Sequence, residues 1–228
     1  MNMKLTYYGH ACFGIELEGT HLLIDPFIKG NELAVHIDVE AIPADYILLT
    51  HGHMDHIADA EAISKRTGAI IVSNYEIVTW FEEKGCKGHP MNHGGSWKFP
   101  FGSIKYVKAD HSSVLPDGTY GGNPGGFVVK TPSITFYHSG DTALTYDMKL
   151  IGEAFDLDLA LLCIGDNFTM GYEDAAIAAD FVQCDNIIAH HFDTFGWIKI
   201  DHESVAKHVK DAGKKLRIPK IGEVISFS

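Results

Sequence analysis

Residues 51–56 read His-Gly-His-Met-Asp-His, and they follow the apolar run Tyr46-Ile47-Leu48-Leu49. A short apolar run bounded by turn signals reads as a buried strand. Four metal-competent side chains therefore leave the end of a rigid element within six residues. Imidazole and carboxylate suit zinc, iron, manganese or nickel. Their spacing says more than their number. On a tight loop leaving a strand, His51 and His53 can point one way while Asp55 and His56 turn towards a neighbouring point. That arrangement offers two adjacent metal positions. A lone His-x-His would more simply be a solvated loop; four ligand types in this order are not.

Composition narrows the classes. The chain has 228 residues, 46% hydrophobic and 21% charged, with ample material for a core. A single domain spanning 1–228 is expected. The net charge of −12 argues against a broad phosphate-binding surface, and so against general affinity for nucleic acid. Cys12, Cys86, Cys163 and Cys184 are widely separated with no C-x-x-C pair, the pattern of reduced, buried thiols. The opening residues lack the apolar core of a signal peptide, and no run is long enough to span a bilayer. The expectation is a cytoplasmic enzyme with a small-molecule substrate and no nucleic-acid or membrane partner; a homo-oligomer is compatible with it.

Periodicity and turn residues place strands at 4–8, 12–17, 21–24 and 46–49, a helix at 57–66 and a strand at 69–72. A helix follows at 75–84, then strands at 103–109, 126–130 and 134–138. The second half repeats the grammar: helix 145–154, strand 157–164, helix 173–182, strand 186–189, helix 202–212 and strand 223–227. Two sets of strands, each followed by helices, suggest two sheets packed face to face with helices outside. The expected class is α/β, a four-layer αββα sandwich.

Three further positions match the first motif. His111, Asp141 and His191 each sit just past an expected strand, where loops of a rigid scaffold converge. Taken singly, each competes with a turn-capping role. Their shared placement favours the metal reading.

Here the chain resembles the metallo-β-lactamase superfamily. The order His-x-His-x-Asp-His, then His, Asp and His matches that superfamily's ligand series, and the resemblance runs from Tyr7 to the last strand. More closely, it resembles a bacterial and archaeal family of small metal-dependent hydrolases related to ascorbate-6-phosphate lactonase. The matching marks are Gly9-His10-Ala11, Leu23-Ile24-Asp25-Pro26-Phe27, residues 50–56, residues 120–127 and His138-Ser139-Gly140-Asp141-Thr142. The resemblance implies a metallo-β-lactamase-like fold and two divalent transition-metal ions, zinc first, with manganese, nickel or iron as alternatives. By motif, His51, His53 and His111 would hold one ion, and Asp55, His56 and His191 the other, with Asp141 bridging. The family usually has one His where this chain has His190-His191. His191 is aligned because Phe192-Asp193-Thr194 matches the family's aromatic-x-Thr, with His190 as the fallback.

The implied reaction is hydrolysis of a small ester, lactone or phosphoester by a hydroxide held between two metals about 3.5–4 Å apart. Asp55 would be a ligand first and a candidate proton acceptor second. His10, on the turn between the first two strands, is the candidate catalytic group that is not a ligand; a turn His bonded to backbone is the plain alternative. Asp25 is expected to orient a metal-bound imidazole, against the simpler reading of an Asp-Pro turn. Gly121 to Gly126 reads as a connection between strands. His89 and His93 are placed in a loop, His138 on a strand with local bonds, and His21, His36, His202 and His208 at the surface. Cys163 is expected to be a buried thiol.

Length weighs against some relatives. Only 49 residues (142 to 190) separate Asp141 from His191, too few for the inserted domain of RNA-processing members. Two other readings stay open. A mononuclear iron oxygenase of the persulfide dioxygenase type predicts one iron per chain, and Asp55 with His56 argues against it. A non-catalytic metal-binding protein on the same fold predicts bound metal without turnover.

Overall fold

The computed structural model describes residues 3–227. The first strands are amphipathic or apolar and pair in sequence order: β1 (Met3–Gly9), β2 (Cys12–Leu17), β3 (Thr20–Ile24), β4 (Tyr46–Leu48), β5 (Ile70–Asn74) and β6 (Lys87–Met91). They form one seven-stranded sheet in the order β14-β1-β2-β3-β4-β5-β6, with β14 (Val224–Phe227) returning beside β1. The second sheet runs β13-β12-β11-β10-β9-β8-β7, from β7 (Ser96–Phe99), β8 (Gly102–Lys108), β9 (Gly125–Lys130) and β10 (Thr135–His138) to β11 (Leu159–Cys163), β12 (Asn186–His190) and β13 (Lys215–Arg217). Each sheet is mixed. Its hairpin-linked strands are antiparallel, and β3 to β6 and β10 to β13 are parallel.

The main core lies between the sheets, where Phe13, Tyr106, Phe127, Phe136 and Leu161 are fully buried. A second cluster, including Ile47, Ile63, Ile77 and Phe81, seals α2 (Ala60–Thr67) and α3 (Tyr75–Glu82) onto the outer face of the first sheet. On the second sheet, α4 (Asp147–Ala154), α5 (Tyr172–Phe181) and α6 (His202–Asp211) pack in succession. This is the four-layer αββα sandwich that the strand and helix pattern implies. The central parallel strands β11 and β12 are buried along nearly their whole length, as strands covered on both faces must be.

Several features differ from the sequence reading, the edge strands β7 and β13 among them, which it did not expect. The helix expected at 57–66 begins earlier, as the single turn α1 (Met54–Ile57), and restarts as α2 after Asp59. Asp59 turns its carboxylate back to the backbone N–H groups of Ile28 and Lys29, which fastens the loop after β3 at the break. The stretch holding His89 and His93 is no plain loop. His89 lies on β6, its ring 5.0 Å from those of Trp97 and Phe99, while His93 Nε2 lies 2.8 Å from the Pro124 carbonyl. His21 is half-buried on β3, whereas His36, His202 and His208 are exposed as expected. No helix among the described residues is long and apolar enough to cross a membrane.

Candidate metal centre

Every candidate ligand sits on a loop or first helical turn just past the end of a strand. His51 and His53 follow β4, and α1 then turns the chain so that Asp55 and His56 face a neighbouring point. His111 follows β8, Asp141 follows β10 and His191 follows β12. The two sheets deliver these ends to one edge of the sandwich. Cross-bonds hold the loops together: the Asp110 N–H donates to Thr142 Oγ1 at 3.0 Å, and the Ala143 N–H to the Asp110 carbonyl at 3.1 Å. These bonds set His111 beside Asp141, Nε2 to Oδ2 3.7 Å. Gly140, with φ +61°, sits against the Gly125 carbonyl and Thr50, where a Cβ would collide, and so aims Asp141 inward.

The donor atoms fall into overlapping groups. His51, His53 and His111 form one. Asp55, His56 and His191, with His10, form another, and Asp141 joins His51 and His56 in a third. Asp141 Oδ2 lies 3.3 Å from His56 Nε2 and 2.8 Å from His191 Nε2. The carboxylate thus stands between the two histidine sets.

Asp25 fixes the imidazole tautomers. It is fully buried and accepts the Thr50 N–H (2.8 Å), the Thr50 hydroxyl (2.6 Å) and His56 Nδ1–H (2.8 Å). Having donated its proton, the Thr50 oxygen accepts from His51 Nδ1–H at 3.0 Å. That leaves the Nε2 lone pairs of His51 and His56 for the site. His51 Nε2 faces His53 Nδ1 at 3.0 Å.

The residues fit a cation. His56 Nε2, Asp141 Oδ1 and His191 Nδ1 are buried without a hydrogen-bond partner, which normally costs free energy. Nitrogen and carboxylate donors are the usual ligands of zinc and its first-row neighbours. In the protein alone these groups perturb one another. Burial favours neutral His56, but Asp141 and Asp25 outweigh it and raise its pKa well above the usual histidine range. Burial likewise pushes Asp141 up, and the charges of His191 and His56 reverse that and hold it well below the usual carboxylate range. His51, buried and facing other imidazoles, is driven well down.

His10 occupies the β1–β2 turn in a left-handed conformation, φ 56°. Its Nε2 donates to Asp55 Oδ2 at 3.1 Å and its Nδ1 accepts from Thr194 Oγ1 at 3.0 Å. Burial first, and the charge of His191 second, hold its pKa down at about 4. With both nitrogens engaged, His10 restrains Asp55 rather than offering a lone pair of its own. The Asp55 carboxyl is pushed up by burial, but the His10 hydrogen bond and the charges of His56 and His10 prevail and keep it far down.

Of the adjacent pair, His191 faces the site and His190 does not. His190 stacks on His138, centroids 4.5 Å apart, with its Nε2 3.2 Å from Ser139 Oγ. Cys163 is a fully buried thiol, its pKa pushed up to about 11 by burial. The Gly121–Gly126 stretch packs closely: Gly121 would strike Ser113, Gly122 Asn74 and Gly126 the His138 carbonyl. The sequence reading quoted Thr50 and Thr194 only as motif residues and gave them no role; Thr50 orients His51, and Thr194 bonds His10. That reading missed Phe168 and Phe195, which line the cavity over the donors. Both phenylalanines lie past strand ends, the same signal that singled out the ligands.

A family model described as a beta-lactamase superfamily domain matches residues 4–191. A UPF0173 metal-dependent hydrolase of Flavobacterium johnsoniae is 59% identical, over 99% of this chain and all of the relative. Another, from Christiangramia forsetii, is 57% identical, also over 99% of this chain and all of the relative. Among solved structures, Igni18, a metallo hydrolase from the archaeon Ignicoccus hospitalis, superposes with a TM-score of 0.91. It is 34% identical, covering 100% of this chain and 99% of that one.

Proposed function

The chain belongs to the beta-lactamase superfamily, among the UPF0173 metal-dependent hydrolases, and from that premise we propose that it uses two divalent cations to hydrolyse a small ester, lactone or phosphoester. The observation that carries this reading is the pair of donor sets meeting at Asp141, with buried His56, His191 and Asp141 atoms left unpartnered. His51, His53 and His111 would hold one ion, Asp55, His56 and His191 the other, and Asp141 would lie between. Zinc is the first candidate, and manganese, nickel and iron suit the same donors. When bound, two such cations supply a water acidic enough to ionise near neutral pH and polarise the substrate's electrophilic centre.

The chain's own residues do the rest. Asp25, directly and through Thr50, keeps His56 and His51 in the tautomer with Nε2 unprotonated. His10 holds the Asp55 carboxylate in one orientation; the Asp55 side chain, 28% exposed, borders the cavity and can take up a proton from the attacking water. Restrained donors of this kind keep the reacting groups in a narrow range of geometries.

Hydrolysis by zinc- or manganese-loaded protein, across a panel of lactones, carboxylic esters and phosphoesters, tests the reading. Turnover that disappears on chelation and in Asp141→Ala is expected. Metal-loaded protein that turns over nothing in the panel overturns it.

A further inference from the structure

We infer that the substrate's non-reacting arm is uncharged and apolar, aromatic or branched alkyl, and that Phe168 and Phe195 grip it. This inference rests on the hydrolase reading and specifies its substrate.

The cavity over the donor atoms holds about 300 Å³, room for a small molecule and little more. Its walls beyond the candidate ligands are Ser112, Phe168 and Phe195, and no Lys or Arg lines it. A phosphate or second carboxylate on the arm would enter without a cationic partner, which is costly for a charge removed from water. The local carboxylates, Asp55 and Asp141, would also offset half of the charge that two divalent cations bring. Lys199, the nearest cation in sequence to the Phe195 wall, is absent from the lining.

The aromatic walls are built rather than incidental. Phe168 is 50% exposed on a loop whose base is closed by the Gly165–Gly171 bridge and by the Met170 N–H donating to the Thr142 carbonyl at 2.8 Å. Asp166 and Asn167, just before it, both take left-handed φ values of 60° and 56°. Two successive non-glycine residues there are strained, a feature that concentrates at functional sites. The turn they form carries the half-exposed ring of Phe168 to the cavity. Phe195 packs edge-on against His10, ring centroids 5.4 Å apart, and at a tilt against Phe27, 6.3 Å apart. One ring stands half-exposed at the mouth and the other is packed against neighbouring rings, and between them they offer an apolar surface to the arm.

Two γ-butyrolactones test this, one with a phenyl and one with a phosphooxymethyl group on the carbon beside the ring oxygen. In each, water adds hydroxyl to the acyl carbon and a proton to the ring oxygen as the C–O bond breaks. The reacting unit is the same and only the arm differs. With zinc-loaded protein, kcat/KM for the phenyl lactone should exceed the phospho lactone by tenfold or more. Phe168→Ala should raise KM for the phenyl lactone severalfold, and by more than it raises KM for the phospho lactone. A phospho lactone turned over equally well or better overturns the inference and leaves the hydrolase reading standing. If neither lactone is hydrolysed, calorimetric titration of the matching phenyl and phosphooxymethyl lactams decides. Binding of the phenyl lactam that Phe168→Ala weakens severalfold upholds the arm assignment while the hydrolase reading fails; phospho-lactam binding that is equal or tighter, or no phenyl binding, overturns it.

Discussion

The backbone N–H of His191 donates to the carbonyl of His10 at 2.8 Å, and both residues hold left-handed φ values, 57° and 56°. This bond ties the first turn of one sheet to the last ligand-bearing strand end of the other. It also brings the two imidazole centroids within 4.2 Å. Non-glycine residues in this conformation cost about 1–2 kcal/mol each, so the contact is retained against strain. Removing the His10 ring without disturbing its backbone is therefore feasible, because glycine accepts the same φ.

His10→Gly should fold, keep its metal and lose turnover. With the ring gone, Asp55 loses its Nε2–H partner and samples other orientations. A fall in kcat of about 100-fold or more is expected, the range for a positioned acid–base group. Metal content and kcat measured on the same preparation check it. Unchanged kcat would return His10 to a purely structural turn residue.

Asp25→Asn should weaken metal binding more than it weakens the fold. The amide keeps the shape but cannot accept from the Thr50 hydroxyl, the Thr50 N–H and His56 Nδ1 together. Loss of such an orienting carboxylate typically costs about 10- to 100-fold in metal affinity. Zinc competition with a chromophoric chelator measures it, and unaltered affinity would contradict the tautomer assignment.

Gly165→Ala should disturb the site from behind. Its Cβ would collide with the His191 carbonyl, backbone against backbone, so the β12 end must move. A loss of about 1–3 kcal/mol in stability is expected for such overpacking, with reduced metal occupancy. Denaturant melts of the metal-free protein and metal analysis read the two effects separately.

Acid should destabilise the metal-free protein through His138. Burial holds its pKa at about 4, against 6.5 for a free histidine. Its neutral form is the one that fits, since Nδ1 accepts the Gly140 N–H at 3.1 Å and Nε2 lies 3.3 Å from the Ala11 carbonyl. The unfolded chain binds the proton first, so this contribution is complete above pH 6.5. It is lost as pH falls from 6.5 towards 4, about 3 kcal/mol in all. His138→Gln, measured by chelator-treated thermal melts across that window, should show a shallower slope than the parent; an equal slope would locate the acid sensitivity elsewhere.

The central strands and the convergence of the seven candidate donors were legible because each signal is local: an apolar run, then a His or Asp at its end. The strands missed, β6, β7 and β13, are all at or beside sheet edges. β6 contains Gly88 and Pro90, which only an edge strand tolerates well. β7 and β13 are short and mostly exposed, so they leave no apolar periodicity. Thr50, Thr194, Phe168 and Phe195 gain their meaning from the approach of separate loops. Thr194 meets His10 across 184 positions of chain, a relation no spacing pattern expresses. Strand alternation lets only one of His190 and His191 face the site, and Phe192-Asp193-Thr194, by resemblance to the family's aromatic-x-Thr, is what singled out His191.

Metal content tests the account most directly. Untagged protein purified without chelator, loaded with zinc and then desalted, is analysed by inductively coupled plasma mass spectrometry against quantitative amino-acid analysis. The two donor sets meeting at Asp141 predict about two divalent ions per chain, falling to one or fewer in Asp141→Ala. A parent protein that retains one ion or none would contradict the paired site.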